Sequence, residues 1–242
     1  MRKKINPAFI FTVLALIIGV LVLNRPKFED HPVKTKQNPV QVETQALHNI
    51  NKPIIDVSGW QRPSEINYDT LTQNISGAIV RVHSGAQASV ENDASFKNGV
   101  DKAYKEHITE FQKRNIPVAV YAYVAGKNVE EMEKAAEVFY NAASPYNPSY
   151  YWLDVEDKTM SDMNQGVEAF RAKLASLGAK NIGIYVGVYF MEEHSISTEN
   201  FSAIWIPSYG TNSGYYESAP KTDLNYDLHQ YTSHGNLGGF EN

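Results

Sequence analysis

The sequence predicts an α/β fold, an incomplete TIM-like barrel that begins near Pro53. From there onward, short runs of β-branched and aromatic residues alternate with stretches whose apolar residues recur at helical spacing. Repeated strand–helix units favour a parallel sheet with helices packed outside it. The roughly 190 residues that remain are fewer than the ~250 of a complete eight-unit barrel. We therefore expect five strand–helix units and two or three bare strands, with an open doubly wound sheet as the alternative.

The expected elements follow one another along the chain. Strands are predicted at residues 54–58, 77–83, 117–123, 151–156, 182–186, 203–208 and 227–231. Helices are predicted around residues 64–74 and 100–115, and along two apolar stripes at residues 132–140 and 163–177. The second stripe stops at Gly178, a residue suited to ending a helix. No further long helix is expected after the fifth strand, so the last strands are bare.

The N-terminus has the pattern of an export segment. Arg2, Lys3 and Lys4 precede an apolar run over residues 8–23, which as a helix would span roughly 24 Å. No A-x-A-like cleavage pattern follows the run. We expect a signal anchor, a transmembrane helix within residues 1–23, with a cleaved signal peptide as the alternative. Because basic flanks stay in the cytoplasm, the remainder would lie outside the cell on a single-pass anchor in the cell membrane, or be secreted after cleavage.

Charge and composition divide the remainder into a linker and one domain. Residues 24–52 are rich in Pro, Lys, Gln, Asn and Thr without apolar periodicity, which predicts a flexible linker. Residues 1–52 hold eight Lys or Arg and three Asp or Glu, whereas residues 53–242 hold 14 and 24. Nucleic acid is not an expected partner, because its phosphates would repel so acidic a domain. The absence of cysteine excludes disulfides, thiolate metal sites and a cysteine nucleophile.

Reactive side chains are expected at the carboxyl ends of the strands, where barrels of this kind hold them. These ends carry Asp56, His83, Tyr123, Asp154, Glu156, Tyr185, Tyr209 and Gln230. Asp154 and Glu156 are two residues apart on one strand, so both carboxyl groups point to the same face. The pKa of one member of such a pair rises, which suits glycoside hydrolysis, a reaction that needs a proton donor and a second carboxylate. The alternatives are a surface or helix-capping pair or, together with Asp56, oxygen ligands for a divalent cation.

A series of short motifs resembles the glycoside hydrolases of family 25, the Chalaropsis-type lysozymes. The opening element, DVSGWQ at residues 56–61 followed by INY at residues 66–68, is similar to the D-V-S-x-x-Q…I-D-W element of that family. Further similar segments follow in order: IVRV at 79–82, D-x-x-F-x-N at 93–98, VYAY at 120–123, WLDVE at 152–156, GIY at 183–185, IWI at 204–206 and QYTSHG at 230–235. The resemblance covers essentially residues 53–240.

The resemblance implies a (β/α)5(β)3 barrel over residues 53–242 that cleaves the β-1,4 bond between N-acetylmuramic acid and N-acetylglucosamine in peptidoglycan, without a metal or cofactor. By the same resemblance, Glu156 is the general acid, and Asp154 and Asp56 are its acidic companions. The expected contacts to the substrate are Tyr123, Tyr185, Trp60, Trp205, Tyr209 and Gln230. The two tryptophans are candidates for stacking on sugar rings, with a place in the core as the alternative.

The chain departs from the family pattern in two places. Asn67 stands where the family often has Asp. Family members usually continue past the QYTS element into a final strand that brings another acid to the cleft, whereas this sequence runs to Glu241 and Asn242 without such a segment. A membrane-tethered peptidoglycan hydrolase is the leading expectation. A non-catalytic module that binds cell-wall glycan and a metal-dependent hydrolase are the alternatives.

Overall fold

The computed structural model describes residues 52–85 and 90–240. The predicted anchor over residues 1–23, and all of the predicted linker except Lys52, lie outside these ranges. Within the ranges, no helix combines the length and the apolar character that crossing a membrane requires.

Seven parallel strands form one curled sheet. They are β1 (Ile54–Val57), β2 (Gly77–His83), β3 (Val118–Tyr123), β4 (Tyr151–Val155), β5 (Ile182–Val186), β6 (Ala203–Pro207) and β7 (Leu228–Gln230). In the described part of the chain, every strand pairs in parallel with its neighbours in sequence, so the order across the sheet is the order along the chain. The α/β TIM-like prediction is confirmed. The doubly wound alternative is wrong, because that fold requires the strand order to reverse.

Five α-helices follow the first five strands in turn. They are α1 (Tyr68–Leu71), α2 (Tyr104–Lys113), α3 (Val129–Ala143), α4 (Met163–Leu177) and α5 (Val188–Glu193). The side chains of Asn128 and Asp162 cap α3 and α4 by accepting hydrogen bonds from backbone N–H groups of the first turn. As predicted, α4 ends at Gly178, whose φ of 112° suits glycine. Strands β6 and β7 follow α5 as bare strands.

The helix predicted over residues 64–74 is shorter than expected. This stretch holds a single 3-10 turn, Pro63–Glu65, and then the four-residue α1. Asn67 between them has an extended backbone, and its side chain accepts a hydrogen bond from the N–H of Thr70. Asn67 therefore begins a new helix instead of continuing the previous turn.

The described residues contain two bare strands, whereas the resemblance implied three. Consequently, β1 and β7 each present an edge that pairs with no other strand in the described part of the chain. The last described residues run back beside the start of the domain. The backbone N–H of Asn67 donates to the carbonyl of Gly239, and Ile66 forms an isolated antiparallel bridge with Phe240.

Alternate residues along the strands supply two apolar layers. The outward-facing residues pack with the helices in the larger cluster, where Val80, Val120 and Leu153 are fully buried. The inward-facing residues form a smaller cluster inside the barrel, made of Ile79, Ala119, Trp152, Tyr185, Ala203 and Trp205. This inner layer lies inside the barrel directly below the carboxyl ends of the strands, and we call it the floor of the barrel.

Gly183 is expected to be essential to the inner layer. A Cβ atom at this position would collide with the ring of Trp152. We expect Gly183→Ala to lower the free energy of unfolding by about 1–3 kcal/mol through overpacking, measured by urea-induced unfolding. Gly235→Ala is the control, because nothing lies within 4 Å of a Cβ there. Equal stability of the two variants would contradict a tightly packed barrel interior.

Candidate active site

A cavity of about 120 Å³ opens at the carboxyl ends of the strands. Its lining side chains are Asp56, Tyr121, Asp154, Glu156, Tyr185, Trp205, Tyr209 and Gln230. The three acids predicted from the sequence therefore meet at one place, although they come from strands β1 and β4. A larger cavity of about 630 Å³ adjoins it between the edges of β1 and β7 and shares Asp56, Tyr121, Trp205 and Gln230 with it.

Asp154 is a buried acid beside an exposed one. Its side chain points inward from the end of β4 and only 9% of the residue is exposed, whereas Glu156 lies at the open rim. Burial raises the pKa of Asp154 well above its usual range, and the neighbouring charge of Glu156 raises it further, while Arg81 acts in the opposite direction. Asp154 is therefore the member of the pair whose surroundings favour the protonated form.

Asp56 is held by a chain of hydrogen bonds that crosses the site. Gln230 Nε2 donates to Asp56 Oδ2 at 2.8 Å, while Gln230 Oε1 accepts from the hydroxyl groups of Tyr185 at 2.8 Å and Tyr209 at 2.6 Å. Asp56 is exposed as a residue, but protein atoms crowd its carboxyl group. This desolvation raises the pKa of Asp56, and the hydrogen bond from Gln230 opposes the increase.

A buried ion pair supports the loops around the site. Asp101 is fully buried and accepts hydrogen bonds from Arg81 Nε at 2.9 Å and from the backbone N–H groups of Gly59 and Ala103, each at 2.8 Å. Gly59 follows β1, so this carboxylate joins the loop carrying Trp60 to strand β2. The second guanidinium nitrogen of Arg81, Nη2, is buried without a hydrogen-bond partner among the described residues.

The predicted aromatic contacts differ in position. Trp205 is 6% exposed and packs edge-on against the rings of Trp152 and Tyr185, at 5.7 Å and 4.6 Å between centroids, while lining the cavity. Trp60 is 56% exposed in the loop after β1 and does not line the cavity. Tyr123 also lies outside the lining, and burial together with the neighbouring Asp157 raises the pKa of its hydroxyl.

Sequence reasoning missed Tyr121. It lines both cavities, and burial raises its pKa well above the usual range, with the charges of Asp56 and Asp154 adding to the effect. Its position two residues before Tyr123 on β3 places it on the same inward face, so strand alternation was the signal that could have found it. Arg81 was missed in the same way, two residues after the inward-facing Ile79.

Within residues 52–85 and 90–240, no three His, Asp or Glu side chains are grouped so that they could hold a metal ion. The cavity instead combines carboxyl groups with phenol and indole side chains.

A parallel TIM-like barrel with paired acids and aromatic side chains at one cavity is typical of a glycoside hydrolase. Residues 55–240 match the model of the glycosyl hydrolases family 25, so the chain belongs to this family. The prediction that it is a glycosidase of the lysozyme type is confirmed at that level.

Solved structures agree with this assignment. The chain is 77% identical to GHIP, a glycosyl hydrolase 25 of Streptococcus pneumoniae, with a TM-score of 0.78 over 84% of this chain and 88% of that one. The catalytic domain of endolysin ply40, from bacteriophage P40 of Listeria monocytogenes, is 21% identical, with a TM-score of 0.66 over 77% and 86%. The modular autolysin LytC of Streptococcus pneumoniae is 19% identical, with a TM-score of 0.58 over 78% and 44%. No curated protein sequence matches significantly.

Because Asp154 is buried, we expect the free energy of unfolding to be lower at neutral pH than at acidic pH. The folded protein binds this proton more tightly than the unfolded chain, so the free energy of unfolding falls as pH rises from the ordinary Asp pKa of 3.8 through the raised pKa. We expect Asp154→Asn to remove this dependence and to raise the free energy of unfolding at pH 7 by about 1 kcal/mol, a gain of roughly 2–4 °C in Tm. Thermal unfolding across the pH range measures both effects; an equal pH dependence in variant and wild type would contradict it.

Proposed function

We propose that this chain is a peptidoglycan hydrolase that cleaves the β-1,4 bond between N-acetylmuramic acid and N-acetylglucosamine by carboxylate acid/base catalysis. The observation that carries the proposal is the convergence of Asp56, Asp154 and Glu156 on one open cavity. Family membership supports the reaction class. LytC, which shares the fold, has been solved with a synthetic peptidoglycan ligand, and this supports the substrate class.

In this proposal, Glu156 donates the proton to the departing glycosidic oxygen. It is the exposed member of the acid pair and can reach a glycan lying across the rim, whereas Asp154 is buried beneath it. A water molecule then adds to the sugar, and the proton that this water loses restores Glu156, through the neighbouring carboxyl group of Asp154. The Asp56 carboxylate, across the cavity, stabilises the positive charge that develops on the sugar in the transition state.

The aromatic residues of the site are proposed to hold the sugar rings. Tyr185, Tyr209 and Trp205 line the cavity beside the acids, and Trp60 presents an exposed ring from the loop after β1. Aromatic rings stack on the apolar faces of sugars, and phenol hydroxyl groups bond to their hydroxyl groups. Tyr123 would contribute from beside Glu156, whose charge acts on its hydroxyl.

We further propose that the enzyme works at the outer surface of a membrane. The basic residues and apolar run within residues 1–23 support an anchor, and the polar composition of residues 24–52 supports a flexible tether. Such a tether would limit the barrel to cell wall lying close to the membrane.

The tether predicts where the intact chain is found. We expect the full-length protein to remain in the membrane fraction after washing with high salt, and to be released from intact cells by proteolysis within the linker. The mass of the intact protein should correspond to a chain that still contains residues 1–23. A protein found in the medium and lacking that segment would show that the segment is a cleaved signal peptide.

Removal of the proton donor is expected to abolish hydrolysis. Glu156→Gln keeps the size of the side chain but cannot deliver a proton, so release of muropeptides from purified sacculi should fall at least about 100-fold. Mass analysis of the muropeptides that the wild type releases should find products ending in reducing N-acetylmuramic acid. Glu133→Gln is the control, because Glu133 is an exposed carboxylate on α3 away from the cavity.

The opposite results are equally informative. Equal muropeptide release by Glu156→Gln and wild type would remove Glu156 from the mechanism. Reducing glucosamine ends would mean that a different bond is cut. Retention of the wild-type protein on sacculi without new reducing ends would identify a non-catalytic glycan-binding module.

A further inference from the structure

The carboxyl ends of β1 and β7 are joined across the open side of the barrel by side chains. No main-chain ladder links these two strands in the described part of the chain. On its other side, Asp56 is opposite Ile79 in the β1–β2 ladder. On the open side, the contact to its carboxyl group is the 2.8 Å hydrogen bond from Gln230 Nε2. The direction of this carboxyl group therefore depends on the amide of Gln230.

The amide of Gln230 is itself fixed by two phenols. The hydroxyl groups of Tyr185 and Tyr209 donate to Oε1 at 2.8 Å and 2.6 Å, and the two hydroxyl oxygens are 3.1 Å apart. A side-chain carbonyl oxygen has two acceptor sites, and both are occupied. Burial raises the pKa of both tyrosines, so the phenols keep their protons and remain donors.

The fixed amide discriminates between the two protonation states of Asp56. With Oε1 occupied by phenols, Gln230 must present its NH₂ group to Asp56, and an N–H donor favours the ionised carboxylate. The reversed amide would place a carbonyl oxygen against Asp56 Oδ2. Two acceptors at that distance repel unless the carboxyl group carries a proton.

We propose that Gln230 is a positioning residue, locked by Tyr185 and Tyr209, that keeps the Asp56 carboxyl ionised and fixed in direction at the cavity it shares with Asp154 and Glu156. This role differs from the substrate contact expected from the sequence. The inference rests on the proposed function for its kinetic consequence, but the state of the Asp56 carboxyl can be measured without turnover.

The surroundings of Asp56 show why such a donor is needed. Burial raises the pKa of Asp56, and the hydrogen bond from Gln230 is the largest influence in the opposite direction. The titratable and charged groups around Asp56 are Tyr121 on β3, Asp154 on β4 and Glu156 directly after it, Tyr185 on β5, Tyr209 after β6, Arg81 on β2 and, in the larger cavity that Asp56 also lines, Lys52, His229 and Tyr231. Among these groups, Arg81 is bonded to Asp101. Burial thus favours protonation of Asp56, and the hydrogen bond from Gln230 counteracts it.

The test compares two variants of Gln230 with a matched control. Gln230→Met removes the donor and the acceptor at nearly constant volume, and Gln230→Glu keeps an acceptor for both phenols but replaces the donor. Gln112→Met is the control, because the amide of Gln112 on α2 makes a hydrogen bond of similar length, 2.7 Å to the carbonyl of Tyr146, away from the cavity. Carboxyl ¹³C NMR follows the titration of Asp56, and muropeptide release gives kcat and KM.

We expect Asp56 to titrate at higher pH in both Gln230 variants and unchanged in Gln112→Met. The acidic limb of the activity profile should move to higher pH in the same two variants. In Gln230→Met, kcat should fall by about 10- to 100-fold, the loss typical of a hydrogen bond to a charged group. KM should change by less than about threefold, because the residue acts through Asp56 and not on the substrate.

The inference and the proposed function fail in different ways. An Asp56 titration that matches wild type in a folded Gln230 variant, with only a lower Tm, would show a structural role and overturn the inference. If Gln230→Met does not fold, the nearly isosteric Gln230→Glu decides the same question. A wild-type protein that releases no muropeptides would overturn the proposed function, while the NMR titration would still test the action of Gln230 on Asp56.

Discussion

The site depends on the alternation of side chains along parallel strands that all end at one edge of the sheet. Because residues two apart face the same side, β4 places Trp152 in the barrel floor and Asp154 directly above it. The ladders align Tyr123, Asp154 and Tyr185 across three neighbouring strands. The alternation of side chains along the strands therefore places both the apolar residues of the floor and the polar groups above them.

The packing that positions Asp154 also disfavours its ionised form. The floor excludes water from Asp154, and its Oδ1 atom is buried without a hydrogen-bond partner among the described residues, as is Arg81 Nη2. Unsatisfied buried groups cost free energy and are rare outside functional sites. The outer apolar layer between sheet and helices supplies the stability that offsets this cost, so the site is supported by residues that never approach the substrate.

The cavity that holds the three acids lies beside the larger cavity between the edges of β1 and β7. Strands β1 and β7 leave a gap of about 630 Å³ between their edges, and the acid cavity opens into it. A glycan chain is wide and needs an open groove, so a gap in the wall is compatible with binding a polymer. Among the described residues, no backbone ladder holds Asp56 from that side, and the Gln230 side chain contacts it there instead.

Local patterns and ordered motifs in the sequence encode the strand–helix order, the five strand–helix units, the acid pair at the end of β4 and the family. The sequence did not reveal the interruption at Asn67, where one side chain begins a new helix. Nor did it distinguish Trp205, which is packed inside the barrel, from the exposed Trp60. The roles of Gln230, Arg81 and Asp101 were decided only by the tertiary structure, because hydrogen bonds between residues as far apart as 56 and 230 depend on how the sheet curls, and no local pattern encodes that closure.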